Sequence, residues 1–170
     1  GNIKPLEHLY LGTNYSNADI TKEIKKISRK KYQVEKMDHI EKEVAKLLSK
    51  GNVVARFYGP MEFGARALGN RSILADPANL DCIREINETI KIRDFWMPFA
   101  PSILEERQND YFINPKNYPA NFMTITFVTT KKGKQDLKAA MHRYDFTLRP
   151  QIVRKDVNPS YHRIITEFQK

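Results

Sequence analysis

The chain has 170 residues and a formal net charge of +9, with 29 lysines and arginines against 20 aspartates and glutamates. That length suits one domain. Its 41% hydrophobic content is that of a soluble globular protein, and no apolar run approaches the roughly 20 residues of a membrane-spanning helix. One cysteine, Cys82, excludes an internal disulfide, and the lack of a secretory apolar segment makes the cytoplasm the expected location.

Residues 1–36 read as a lead-in segment followed by a basic helix. Leu6, Leu9, Tyr10 and Leu11 begin it, and Asn14 to Asn17 form a turn. Asn17 or Asp19 is expected to cap a helix with Ile20, Ile24 and Ile27 on one face. Lys22, Lys25, Lys26, Arg29, Lys30, Lys31 and Lys36 stand against Glu23 and Glu35. Such a run is a solvated helix face, a linker or a nucleic-acid contact, and the lack of interleaved aromatics argues against the last. The positive balance as a whole favours an anionic partner.

The second helix is expected to start at Asp38, with Glu41 as its reciprocal capping partner. Met37, Ile40, Val44, Leu47 and Leu48 give it an apolar face, and Gly51 ends it. Val53 to Tyr58 then predict a buried strand. The following segment, residues 59–77, crowds Gly59, Gly64 and Gly69 together with Arg66, Arg71, Asn70 and Ser72. Two permanent charges in so short a segment repel unless an anion lies between them, and guanidinium suits phosphate or carboxylate. An anion site on a strand–loop–strand or strand–loop–helix scaffold is the expectation, although such arginines also serve as surface charges or ion-pair members. Neither a Walker A loop nor a dinucleotide fingerprint is present.

Leu80, Ile83, Ile86 and Ile90 predict a helix over residues 79–91, with Cys82 as a small core residue. Lys91 and Arg93 follow, beside an apolar run from Phe95 to Pro101 whose two prolines forbid regular helix. That run reads as a plug that also excludes water from a charged pocket, with Trp96 in packing rather than in base stacking. Residues 103–120 read as mixed, with loops. Phe122 to Val128 predict a strand, residues 131–133 a turn, and Leu137 to Met141 a short helix. Leu148 to Val153 predict an edge strand interrupted by Pro150, and Asn158-Pro159 opens a helix bearing Tyr161, Ile164, Ile165 and Phe168. Alternating helices and strands of this kind indicate α/β or α+β architecture.

Three blocks, in order, resemble the O-carbamoyltransferases of the nodulation and antibiotic-tailoring type, and within them the C-terminal, YrdC-like domain. They are the run from Met61 to Leu74, the run from Ile92 to Ser102, and the run from His142 to Gln151. The family has an arginine where Pro60 stands and a proline where Ala65 stands. The resemblance implies a twisted mixed sheet with packed helices, one domain over 1–170. It also implies a further strand and an Asn-Thr-Ser-Phe-Asn block beyond the terminal helix, so the domain is expected to be truncated at its C-terminal end. An exposed sheet edge would then invite homo-oligomers.

The resemblance further implies that this domain binds ATP as co-substrate, with magnesium, together with carbamoyl phosphate. It forms carbamoyl-adenylate and releases pyrophosphate. A metal-bearing N-terminal domain then transfers the carbamoyl group, and no metal is expected within this chain. Joining two phosphorylated reactants requires fixed cations. Arg66, Arg71 and Arg93 are the catalytic candidates, with Lys91 as a fourth cation. Asn70 and Ser72 could bond the carbamoyl group. His142, Asp145, Thr147 and Arg149 are candidate wall residues, His142 equally readable as structural. An RNA-binding YrdC-like module is the alternative.

Overall fold

A computed structural model describes residues 3–94 and 97–170. Phe95 and Trp96, and with them the packing assignment of Trp96, lie outside the described residues. The architecture is mixed α/β, as expected. The strands divide among three small sheets: an antiparallel pair, a parallel pair and an antiparallel triplet.

Helix α1 (Asn17–Ile24) buries none of its residues. Its cap is Ser16, not Asn17 or Asp19. The Ser16 hydroxyl accepts from the Asp19 amide, and the Asp19 carboxylate accepts from the Ser16 amide, a capping box shifted one residue upstream. Helix α2 (Ile40–Ser49) begins at His39 without a side-chain cap. Asp38 does not cap it, and Glu41 faces elsewhere: its carboxylate accepts the Ser160 hydroxyl at 2.7 Å. Tertiary contact thus displaces the local cap. Gly51 takes φ +82° just past the helix end, as expected.

β1 (Val54–Phe57) pairs antiparallel with β2 (Arg71–Leu74), so the arginine segment is a strand–loop–strand hairpin. β1 is half-exposed rather than buried. With a single neighbouring strand, Ala55 and Phe57 face outward. α3 (Asp81–Glu85) continues as one wide π turn over Ile86–Lys91, ended by Ile92 at φ +48°. β3 (Ser102–Leu104), a single 3-10 turn, α4 (Gln108–Tyr111) and β4 (Phe112–Ile113) occupy the region read as mixed.

The strand expected from Phe122 shrinks to β5 (Phe127–Thr129). Met123 takes φ +54°, which an extended strand cannot contain. Residues 131–133 are not a turn but the start of α5 (Lys131–Asp136), capped by the Thr130 hydroxyl on the Gly133 amide. Gly133 is required there, because a Cβ would collide with the Tyr111 carbonyl. The short helix expected near Leu137 is a 3-10 turn over Lys138–Ala140.

The expected strand 148–153 is two strands. β6 (Thr147–Leu148) joins the triplet through β5, and β7 (Gln151–Val153) runs parallel to β3. Pro150 sits at the break, since it lacks the N–H a continuous ladder needs. α6 (Pro159–Phe168) is capped by Asn158 and has proline in its first turn.

Helices α2 and α6 pack along each other, and Leu48, Leu74, Val153, Tyr161 and Ile164 form one core cluster between them and the strands. A second cluster around Phe112 and Phe127 lies under the triplet, and a third joins Cys82, Ile83, Ile86 and Ala139. The Lys26–Glu23, Arg84–Glu88 and Lys132–Asp136 ion pairs are at the surface, each contributing about 0–1 kcal/mol. Burial of the apolar clusters, at about 1.5–3 kcal/mol per large side chain, therefore dominates. Among the described residues no helix is long and apolar enough to cross a membrane.

Candidate functional site

The connection from Tyr58 to Asn70 owes its shape to a residue absent from the sequence-based candidates. Glu62 is 6% exposed, and its Oε1 accepts the backbone N–H of Leu68 at 2.7 Å, Asn70 at 2.7 Å and Arg71 at 3.1 Å. From the other side the Leu68 carbonyl accepts Gln151 Nε2 at 2.6 Å and the Tyr10 hydroxyl at 2.7 Å. A carboxylate set between Met61 and Phe63 in a glycine-rich loop was the available signal.

Beside this loop lies a cleft of about 340 Å³. Its floor is apolar and drawn from β2, the π turn after α3 and α6, including Leu74, Ile86, Ile164 and Phe168. Its wall holds Arg66 from the loop, Arg71 and Ser72 from β2, Lys91 and Arg93 from beyond α3, and Arg149 from the β6–β7 break. Residues from all three sequence blocks therefore meet. Among the described residues lining it, Asp76 is the one carboxylate against these five cations.

The cations are not equivalent. Arg71 is occupied by its own loop. Nη1 donates to the carbonyls of Tyr58 at 2.7 Å and Asn70 at 3.0 Å, and Nη2 to Gly59 at 3.1 Å, while the group stacks 3.6 Å from the Phe57 centroid. It ties the hairpin and has little hydrogen-bonding capacity left for a ligand, contrary to the expectation that ranked it with Arg66. Arg93 is held at one edge only. Its Nε donates to the Asn87 carboxamide at 2.5 Å, and its guanidinium lies 4.7 Å from the Phe99 centroid. Its terminal nitrogens have no protein partner among the described residues. Ile92 just before it adopts a left-handed conformation unusual for a β-branched residue, and this turns the segment back toward Asn87.

Arg149 loses proton affinity, first because it is partly buried and second because Arg66 stands near. Two guanidiniums brought together repel, and that repulsion is an electrostatic cost to the fold. Ser72 accepts the Gly69 amide at 2.9 Å and can still donate into the cleft.

Four candidates lie elsewhere. Asn70 is 3% exposed and spends its side chain inside the fold, donating to the Pro60 carbonyl at 2.8 Å and accepting from Asn158 at 2.9 Å. His142, Asp145 and Thr147 form a local turn instead of a cleft wall. Asp145 Oδ1 accepts the Thr147 amide at 3.0 Å and hydroxyl at 2.8 Å, and lies 3.0 Å from His142 Nδ1. These bonds, the Thr147 amide first, hold the Asp145 carboxyl below its ordinary range. Sequence adjacency to Arg149 had grouped them with it.

Tyr161 was read only as a helix face, yet it lines the cleft. Its hydroxyl donates to Ser102 at 2.8 Å, and the Ser102 hydroxyl donates to Gln151 at 3.2 Å. Burial pushes the phenol up to about 12, so it stays protonated as a donor. Tyr161→Phe should cost about 1 kcal/mol in urea unfolding, the net worth of one buried hydrogen bond. Cys82 also lines the floor. Burial pushes its thiol up to about 11, and it donates to the Asn79 carbonyl at 2.8 Å, so it is no ready nucleophile.

Among the described residues no group of three His, Cys, Asp or Glu side chains could hold a metal ion.

The sequence profile of the family described as "Carbamoyltransferase C-terminus" matches residues 45–170. An uncharacterized protein of Methanocaldococcus jannaschii is 43% identical over 99% of this chain and 27% of its own length. The nodulation protein NolNO of Sinorhizobium fredii is 37% identical over 81% of this chain and 20% of its own. The 3'-hydroxymethylcephem-O-carbamoyltransferase of Amycolatopsis lactamdurans is 33% identical over 74% of this chain and 23% of its own. The chain thus spans about a quarter of the length of these relatives.

Proposed function

This chain belongs to the carbamoyltransferase C-terminus family, and on that premise we propose that its cleft binds the phosphorylated reactants of carbamoyl transfer, ATP and carbamoyl phosphate. The observation that supports this reading is the meeting of Arg66, Arg93 and Arg149, from three separate blocks, with Lys91 on one wall where Asp76 is the one carboxylate among the described residues.

In the proposed reaction water releases phosphate from carbamoyl phosphate. An oxygen of the resulting carbamate attacks the α-phosphorus of ATP, and the bond to the β-phosphate oxygen breaks. Carbamoyl-adenylate forms and pyrophosphate leaves. The negative charge that gathers on the leaving group is what Arg66, Arg93 and Arg149 would offset. Ser72 would donate to a carbonyl or phosphate oxygen, and the apolar floor would exclude water and strengthen each charged contact. Magnesium would accompany ATP and shield its phosphates. A YrdC-like fold, cytoplasmic location and hand-over of the carbamoyl group to an N-terminal transfer domain, where the acceptor hydroxyl would bind, complete the proposal.

Calorimetric titration with ATP tests it. Binding should weaken at least about tenfold in Arg93→Ala, the loss of one charge-assisted contact. An unchanged affinity, or no ATP binding by the wild type, would remove the reading. Affinity for single-stranded RNA that falls steeply with salt and survives Arg93→Ala would instead favour the basic run from Lys25 to Lys31 as a nucleic-acid surface.

A further inference from the structure

Glu62 is a buried carboxylate inside a basic loop, and its place there has a chemical meaning. Backbone N–H groups that converge in a turn form a hollow that binds anions, as in phosphate-binding loops. The amides of Leu68, Asn70 and Arg71 converge in this way, and a side chain of the same loop fills the hollow. The carboxylate also joins residue 62 to residues 68–71, closing a short ring of chain that contains Arg66.

The far side of that ring is fixed separately. The Leu68 carbonyl is held by Gln151 of β7 and by Tyr10, and the Gly69 carbonyl accepts Arg56 Nε at 2.7 Å. Phe63 is anchored by its amide, which donates to the Leu9 carbonyl at 2.7 Å, whereas the exposed residues 64–67 have no such anchors among the described residues. Beyond that anchor, the placement of Arg66 depends on where residue 62 is held against 68–71.

We propose that Glu62 is the positioning residue of the cation cleft: its carboxylate fills the amide hollow of the loop and, by closing it, holds Arg66 beside Arg149. This rests on the cleft being an anion site. It assigns Glu62 no contact with the ligand.

Three measurements on the full chain test it. In Glu62→Ala the amides of Leu68, Asn70 and Arg71 should exchange with solvent at least about tenfold faster, the consequence of losing bonds to a charged acceptor. The reactivity of Arg66 toward phenylglyoxal, read by mass spectrometry, should rise with them. Inorganic pyrophosphate should bind about tenfold more weakly by calorimetry. Glu62→Gln keeps an acceptor oxygen at the same reach and should stay within about threefold of wild type in all three. Should Glu62→Ala not fold, Glu62→Asp takes its place, since the shorter side chain cannot reach all three amides.

Unchanged exchange or unchanged Arg66 reactivity in the alanine or aspartate variant would overturn the proposal. So would pyrophosphate affinity equal to that of a wild type that binds it. If the wild type binds no pyrophosphate, the anion reading of the cleft fails by itself, and exchange together with Arg66 reactivity still decides whether Glu62 sets the loop.

Discussion

Gly69→Val is expected to abolish cooperative folding, or to lower stability by about 3–5 kcal/mol where folding survives. Two costs add. Gly69 sits at φ +111°, which costs a residue with a side chain about 1–3 kcal/mol. A Cβ at that position would also run into the Tyr161 ring, and overpacking costs typically 1–3 kcal/mol. Neither partner can yield. Tyr161 is 5% exposed and tied through its hydroxyl to Ser102. The Gly69 amide donates to Ser72 and its carbonyl accepts Arg56. Against a total stability of about 5–15 kcal/mol the loss is decisive. Gly64 supplies the control. It has φ +109° but nothing within reach of an added Cβ. Gly64→Ala and Gly69→Ala therefore share the conformational cost, and only the second adds the collision. Urea unfolding that gives the two alanine variants equal stability would mean that Tyr161 does not dictate the glycine.

Arg66→Glu is expected to weaken pyrophosphate binding by about a hundredfold without destabilising the empty protein. The substitution changes the charge facing the ligand by two units. After solvent screening each unit is worth about 1.4 kcal/mol, or tenfold. In the empty protein the change converts a repulsive Arg66–Arg149 neighbourhood into an attractive one, so the melting temperature should hold or rise slightly. A pure folding defect would lower both readouts together. Wild-type affinity in this variant would mean that the anion does not sit between Arg66 and Arg149.

The sequence revealed long periodic elements best. α2, the hairpin and α6 stand within a few residues of their expected places because heptad-like spacing, Gly51 and Asn158-Pro159 act locally. The first part of the strand expected from Phe122 had the right composition, but composition does not report that Met123 turns the backbone to positive φ, so only β5 forms. The cap of α2 failed for a similar reason: Glu41 had a better partner 119 residues away. In the cleft, charge type and motif membership found Arg66, Arg93, Lys91 and Arg149. They could not separate a cation that keeps its terminal nitrogens open from one consumed by its own carbonyls, which among the described residues is the difference between Arg93 and Arg71. Nor could they exclude His142, Asp145 and Thr147, whose bonds satisfy one another within six residues of chain.

The break at Pro150 also bears on how the cleft responds to its contents. Arg149 stands where the chain leaves the antiparallel triplet for the parallel pair. A sliding of the triplet past the parallel pair would be passed to this guanidinium, while Arg66 would move with the loop of the hairpin. Width between the two is then the coordinate along which the domain would grip or release, and a tether across the joint would freeze it.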